Sequence, residues 1–578
     1  MRPRLVVVPD KGRASSEQTT EQTTGQTTGQ TTGQTTGQAA GQAPAPRRRA
    51  EPPVVTPGRF PPLGPGGKIA LGAAVLTGLV THGWHLFEYP LYLTDEGIYM
   101  QRAWSLVRQT SLSPYTYDYD HAPGGWIQLA GWAFPLPNQF ETFGNAINTG
   151  RVLMLLVHLA GVVLLFEIVR RLSGSLLASS VTAFLYNVSP IAVYYQRQVL
   201  LDNLMMFWVL LSLFLLLGRD MRIRHALGAG TALGMALITK ENAIFFVPTL
   251  VYLLHRRVTG STQRRFAKSL WPFAMAVPVS GYVLYAVLKN ELLPSGFDFD
   301  LNNPPADHVS LLYTLWWQLN RNQGSLLGQG SFLYNSWIPR DGLFLLLGLL
   351  SMLAALYWGF RDRQRNLGFL VIGTLALAYT FYLVRGSVLL DFYIVPLIPL
   401  FSASVGMVTD RLLRRFRPAV RVALPALACA VLLIAPVTNY LLTINTEGRV
   451  AIADQYQPKL NLTRMQEQQV AWIRKHVPAD ARIIMDDDLW SELHDVAPFY
   501  PYAHSHWNAS SDPAVRDKLF AKKWQNIDYI VMSNKMRQSM VGNNGDGREN
   551  WILTALKNSK QVWQAGQGDI KLQIYRVG

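Results

Sequence analysis

Apolar residues fall along this chain in runs of about 17 to 25, the length that carries a helix across ~30 Å of hydrocarbon. The charged residues lie mostly in short blocks between the runs. Reading run by run predicts about eleven spans, near 69–87, 152–170, 175–193, 200–217, 225–239, 242–255, 269–289, 342–359, 367–384, 387–408 and 422–442. The pair 225–239 and 242–255 is short and divided by Lys240-Glu241. Before the first run, residues 1–66 hold a Gln-Thr-Thr-Gly repeat followed by Pro/Ala/Arg-rich sequence, too polar to bury surface against the entropy of ordering, which predicts a disordered tail. After the last run the pattern changes. A helical pattern over 467–476, apolar strand-like runs at 481–485 and 527–532, and alternation at Ile570, Leu572 and Ile574 predict a small α/β domain over 446–578.

Composition agrees with a bundle in lipid: 49% of residues are hydrophobic and 16% charged. The formal net charge of +16 is spread over loops between spans rather than gathered in one stripe, which argues against a nucleic-acid partner. The basic blocks, Arg47–Arg49, Arg170-Arg171, Arg219–Arg224, Arg256–Lys268, Arg361–Arg365 and Arg411–Arg421, fall on one side of the predicted topology. Short cytoplasmic loops are enriched in Lys and Arg, so this side is read as cytoplasmic. The N-terminus is then inside, and the loops 88–150 and 290–341 and the C-terminal domain are outside, in a multi-pass cell-membrane protein. The single cysteine, Cys429, has no partner for an internal disulfide.

The candidate chemistry lies on the outer face. Thr94-Asp95-Glu96 places two carboxylates at the start of an amphipathic segment, with Tyr99, Ala103 and Leu106 recurring at helical spacing, as in a helix lying in the membrane interface. A helix-capping role explains an isolated pair equally well. Asp120-His121 follow in a Pro/Gly turn. Arg197 stands at the outer end of one span and Asp202 at the start of the next; Lys240 and Arg385 also sit at outer ends. Ionisable groups at span ends pair with one another or with a ligand. Three outward cations near carboxylates describe a phosphate-binding acid/base site. His494, His504 and His506 read as surface histidines, Asp486-Asp487-Asp488 as a solvated turn, and Trp316-Trp317 and Trp337 as interfacial aromatics.

Over roughly 69–410 the chain resembles the membrane-embedded GT-C glycosyltransferases that use a polyprenyl-phosphate sugar, in particular protein mannosyltransferases and the lipid A aminoarabinose transferases. The resemblance rests on Thr94-Asp95-Glu96, the Tyr119–Gly125 cluster, Arg197 with Asp202, Leu237–Lys240 and Asp391–Pro399, in family order. It implies a GT-C type polytopic helical fold over 67–445 and an inverting transfer from a polyprenyl-phosphate-linked sugar to an acceptor hydroxyl on protein, lipid or glycan. Asp95 would be the base, with Glu96 a second catalytic carboxylate of lesser effect. Asp120, His121, Arg197, Lys240 and Arg385 would hold the donor phosphate and sugar, and Asp202 and Tyr393 would support the site. The turn departs from the family at Ala122 and Gly124-Gly125. Asp120 and His121 also leave a divalent metal open, although two ligands fall short of the three or four of a zinc site. The rival classes are a transporter, which would show repeated halves, and a membrane-anchored sensor acting through its C-terminal domain.

Overall fold

The computed structural model describes residues 62–218, 222–258, 264–294, 310–320, 326, 331–385, 389–441, 462–533, 536–537, 540, 550–567 and 570–578. Most of the expected N-terminal tail, and much of the 290–341 loop, lie outside these residues. Contacts join Pro57–Gly578 into one compact unit.

The chain opens with α1 (Pro65–Gly83), α2 (Thr94–Gln109) and α3 (Gly124–Ala133), followed by α4 (Ala146–Ser173), α5 (Leu176–Val188), α6 (Pro190–Gln196), α7 (Leu201–Leu216) and α8 (Ile223–Thr239). Then come α9 (Val247–Val258), α10 (Arg264–Leu288), α11 (Leu311–Asn320), α12 (Ile338–Arg361), α13 (Leu367–Arg385), α14 (Leu397–Leu413) and α15 (Pro418–Leu441). Among the described residues, five helices are long and apolar enough to cross a membrane, or six if the bent pair of α5 and α6 counts as one. By this criterion the expected count of about eleven is not reproduced. Apolar runs measure hydropathy, whereas a span needs an unbroken helix as well. The α5–α6 pair bends by 63° at Pro190, whose ring lacks the N–H that a continuous helix would use. The run from 225 to 255 breaks at Lys240, whose backbone turns extended (φ −157°, ψ 127°) before a 3₁₀ turn over Glu241–Phe246 leads into α9.

The basic ends of the helices gather on one side. Asp410, at the end of α14, accepts hydrogen bonds from Ser175 (2.7 Å), Arg414 (2.8 Å) and Arg421 (2.5 Å), and Arg411 donates to Asn366 (2.9 Å). Arg151 and Arg171 lie near opposite ends of α4, and at 1.5 Å per residue the basic side is about 30 Å from the α2 side.

The C-terminal domain carries α16 (Leu462–His476) and a five-stranded sheet in the order β2-β1-β3-β5-β4. Its strands are β1 (Ile483–Met485), β2 (Ala503–Ser505), β3 (Tyr529–Met532), β4 (Ser559–Gln567) and β5 (Ile570–Val577). β1 pairs in parallel with β2 and β3, and β5 is antiparallel to β3 and β4. The three expected apolar runs are β1, β3 and β5.

α2 is packed between the bundle and this domain. Glu96, Met100 and Ala103 are buried, and Gly150 of α4 leaves the space Met100 fills, since a Cβ there would lie 2.8 Å from the Met100 sulfur. A second stripe, Thr94, Gln101, Trp104 and Arg108, bonds to Asp486, Asp487 and Asp495 of the C-terminal domain. Asp486-Asp487-Asp488 are therefore buried rather than solvated. The histidines are also not surface groups: His494 stacks on Trp490 at 4.0 Å, His504 bonds Tyr115 at 2.9 Å, and His506 is buried. Trp337 is buried too and donates to the Asp391 carbonyl at 2.5 Å.

What anchors α2 is Glu96, which has no exposed side-chain surface. Its Oε1 accepts from Arg151 Nε (2.9 Å) and Val199 N (3.0 Å), and its Oε2 from Arg151 Nη2 (2.8 Å) and Leu93 N (3.0 Å). Both oxygens of this expected second catalytic carboxylate are committed to the anchor. Removing one partner of such a pair leaves a buried charge and costs about 3–5 kcal/mol. Arg151→Met should destabilise the protein on that scale in detergent thermal denaturation, and Glu96→Met added to it should recover part of the loss. A single variant as stable as wild type would show that the pair does not anchor α2.

Candidate functional site

With Glu96 turned to α4 and Thr94, Gly97 and Gln101 to the C-terminal domain, the remaining stripe of α2 is Asp95, Tyr99 and Arg102, at i, i+4 and i+7. Asp95 is partly exposed in the first turn, where the helix dipole favours a carboxylate. Tyr99 is buried, and burial pushes its phenol well above the ordinary value; the charges of Asp95, Asp202, Tyr393 and Asp120, in that order, push it further. One α2 ring is thus within electrostatic reach of four of the residues singled out in the sequence.

Arg102 closes the next turn of the same face. Its guanidinium donates to Asp120 at 2.8 Å and Asp118 at 3.4 Å, and lies 4.9 Å from the Trp126 ring centre. The two carboxylates share this one cation and separate in acidity. For Asp120, burial raises the pKa, but Arg102 and then His121 outweigh it and hold the group below the usual carboxylate range. Asp118 is pushed up to about 7, by burial first and then by the Asp120 charge. His121 follows directly, its Nδ1 3.3 Å from Glu241 Oε2, while the Ala122 amide donates to Glu241 Oε1 at 2.5 Å. Burial alone would lower the His121 pKa, but the bond to Glu241, the Glu241 charge and Asp120 raise it above the ordinary value. The break after α8 therefore ties the 118–122 turn to the bundle through Glu241.

Lys240 occupies the break itself. It is buried, its Nζ 2.5 Å from Asp202 Oδ2 in the first turn of α7, and it lies 4.3 Å from the Tyr393 ring centre and 5.0 Å from that of Phe392. The other Asp202 oxygen, Oδ1, has no hydrogen-bond partner among the described residues. Lys240 is thus not the outward cation expected, because a carboxylate and aromatic faces already surround it. Nor are the three cations engaged as one clamp. Arg197 is buried and donates to the backbone carbonyls of Tyr89 (3.4 Å) and Thr81. Arg385 is exposed and donates to the Leu319 carbonyl. Arg102, Asp118 and Glu241 were missed. Arg102 carried a signal, lying seven residues after Asp95 on one helical face; Glu241 carried none beyond its place in a divided span.

Among the described residues no group of three or more His, Cys, Asp or Glu side chains is arranged to hold a metal ion. Asp120 and His121 are engaged by Arg102 and Glu241 instead. The cluster can accept a proton at a carboxylate and can place Arg102, Lys240 and His121 near an incoming anion.

Against known proteins, residues 132–285 match the sequence model of the dolichyl-phosphate-mannose-protein mannosyltransferase family. No curated protein matches. Among solved structures, ArnT from Cupriavidus metallidurans bound to undecaprenyl phosphate is similar with a TM-score of 0.53 and 16% identity, covering 88% of this chain and 98% of that one. The Archaeoglobus fulgidus oligosaccharyltransferase AglB, in complex with an inhibitory peptide and a dolichol-phosphate, is similar with a TM-score of 0.51 and 12% identity, covering 88% of this chain and 74% of that one. The chain has a GT-C type fold like those of the ArnT and AglB structures, a polytopic helical bundle followed by a small C-terminal sheet domain.

Proposed function

We propose that this protein transfers a sugar from a polyprenyl-phosphate donor to an acceptor hydroxyl on the outer face of the membrane. The observation that carries the reading is α2: one helix, fixed on two sides, bears Asp95, Tyr99 and Arg102 on one face, Arg102 is paired with Asp120, and the Tyr99 ring lies within electrostatic reach of Asp95, Asp120 and the Lys240 partner Asp202. The ArnT structure holds undecaprenyl phosphate and the AglB structure a dolichol-phosphate, which supports a lipid phosphate as the donor's carrier. The concentration of Arg side chains on the side away from α2 supports the outward orientation of the site, with the N-terminus inside.

In the proposed step the Asp95 carboxylate takes the proton of the acceptor hydroxyl as its oxygen attacks the anomeric carbon. The bond from that carbon to the phosphate oxygen breaks on the opposite face, with inversion. The electron pair leaves with the lipid phosphate, whose charge the nearby cations stabilise. Asp95→Asn keeps size and one acceptor oxygen but cannot take the proton. Transfer should fall by at least ~10², the scale of a positioned general base, while undecaprenyl-phosphate binding persists. The assay presents purified protein with a panel of polyprenyl-phosphate monosaccharides and follows products by mass spectrometry of the envelope fraction. Near-normal turnover by the variant would return Asp95 to a helix-capping role.

Lys240 needs a paired test, because removing it alone leaves Asp202 buried and unpaired, at a cost of about 3–5 kcal/mol. Lys240→Met should therefore be unstable, and Lys240→Met with Asp202→Leu should recover the fold without recovering undecaprenyl-phosphate affinity. Wild-type affinity in the folded double variant would restrict Lys240 to a structural ion pair.

A further inference from the structure

The C-terminal domain touches α2 where the reaction would need it most rigid. The Asp486–Asp488 turn follows β1 directly and lies across the first two turns of the helix. Thr94 Oγ1 donates to Asp486 Oδ1 at 2.9 Å, and the second Asp486 oxygen accepts from Ser533 at 2.9 Å. Gln101 Nε2 donates to Asp487 Oδ1 at 3.0 Å, and Trp507 Nε1 to Asp487 Oδ2 at 2.5 Å. Between them stands Gly97, where any Cβ would fall inside the van der Waals envelope of the Asp487 carbonyl. The fit is backbone against backbone, so it has little capacity to adjust. Upstream, the Tyr92 amide donates to Gln466 of α16 at 3.1 Å. Asp95 thus lies between contacts of the C-terminal domain at residues 92, 94, 97 and 101 of its own segment.

We infer that the C-terminal domain is a positioning element of the transfer site, with Asp487 and Gly97 setting the first turn of α2 and through it the Asp95 carboxylate. The inference rests on the proposed function and adds a role for residues that lie in another part of the chain and touch no substrate. The domain is then neither a tether nor a separate sensor. Its seating decides whether Asp95 stands where a hydroxyl proton can reach it, and a misplacement of about 1 Å can cost ~10² in rate.

The chemistry at Asp487 separates positioning from charge. Burial, with the charge of Asp486 beside it, pushes its carboxyl up to about 7, so a neutral side chain suits the site. Gln101 Oε1 has no partner among the described residues, so a turned Gln101 amide can accept from an asparagine at 487 while Trp507 still donates to the remaining oxygen. Asp487→Asn should therefore keep the seat, whereas Asp487→Ala loses both bonds and Gly97→Ala forces the backbones apart.

The test measures kcat and KM on the undecaprenyl-phosphate monosaccharide that wild type turns over, using the full chain in detergent or vesicles. Gly97→Ala and Asp487→Ala should lower kcat by about 10 to 10² with donor KM held within about threefold, and Asp487→Asn should restore kcat. Thr94→Val, which removes only the hydroxyl bond to Asp486, should show the same split in smaller measure and serves if the stronger variants do not fold. Wild-type kcat in a folded Gly97→Ala or Asp487→Ala protein, or an Asp487→Asn as impaired as Asp487→Ala, would overturn the inference. Asp95→Asn runs alongside. If it is inactive while the seat variants are normal, only the positioning role fails; if it too is normal, the proposed function itself fails.

Discussion

The site depends on one buried ion pair. Arg151 stands at the start of a long apolar helix, where an uncompensated guanidinium would be costly, and Glu96 meets it with both oxygens. The pair is further closed by the Leu93 and Val199 amides, so no lone pair needed for the anchor is left to solvent. Because a helix has a fixed angular period, pinning Glu96 to α4 settles where its neighbours point. Asp95, about 100° away, faces away from the α4 anchor, and Tyr99 and Arg102 follow it on the same face. The orientation of the candidate base is thus set by a residue that takes no part in the proposed proton transfer.

Around that fixed helix the charges are arranged in near-neutral groups: Lys240 with Asp202, Arg102 with Asp118 and Asp120, His121 with Glu241. Such an arrangement tolerates burial, since each charge has a partner. In the proposed reaction it would also make the cluster responsive, because an incoming phosphate would compete with carboxylates for the same cations. Asp118, pushed up to about 7 by burial and the Asp120 charge, and Asp120, held low by Arg102 and His121, are two chemically identical groups, two residues apart, set to different acidity by their surroundings.

Much of this was legible in the sequence, where local pattern carried it. The apolar runs marked a membrane bundle, the basic blocks marked one of its sides, and the strands β1, β3 and β5 fell where apolar runs and alternation placed them. Asp95, Asp120 and Asp202 were singled out by their positions and Tyr393 by the family resemblance, and the Tyr99 ring feels all four. What failed was set by partners distant in the chain. Glu96 and Arg151 are 55 residues apart, and nothing near Glu96 distinguishes an anchor from a catalyst. Asp486–Asp488 have the composition of a solvated turn, and only the docking of a segment nearly 400 residues away buries them. The expected span 175–193 is bent because hydropathy does not see Pro190 break a helix.

In the proposed transfer Asp95 is the group nearest the reacting carbon, on the side away from the phosphate. A cryo-electron microscopy structure with an undecaprenyl-phosphate monosaccharide bound tests this most directly. Adding one hydrogen bond to one attack distance, the Asp95 carboxylate should lie about 6 Å from the anomeric carbon, opposite the phosphate, with room between for one hydroxyl oxygen. A donor whose phosphate sits on the Asp95 side, or whose sugar lies beyond reach of α2 near the exposed Arg385, would contradict it.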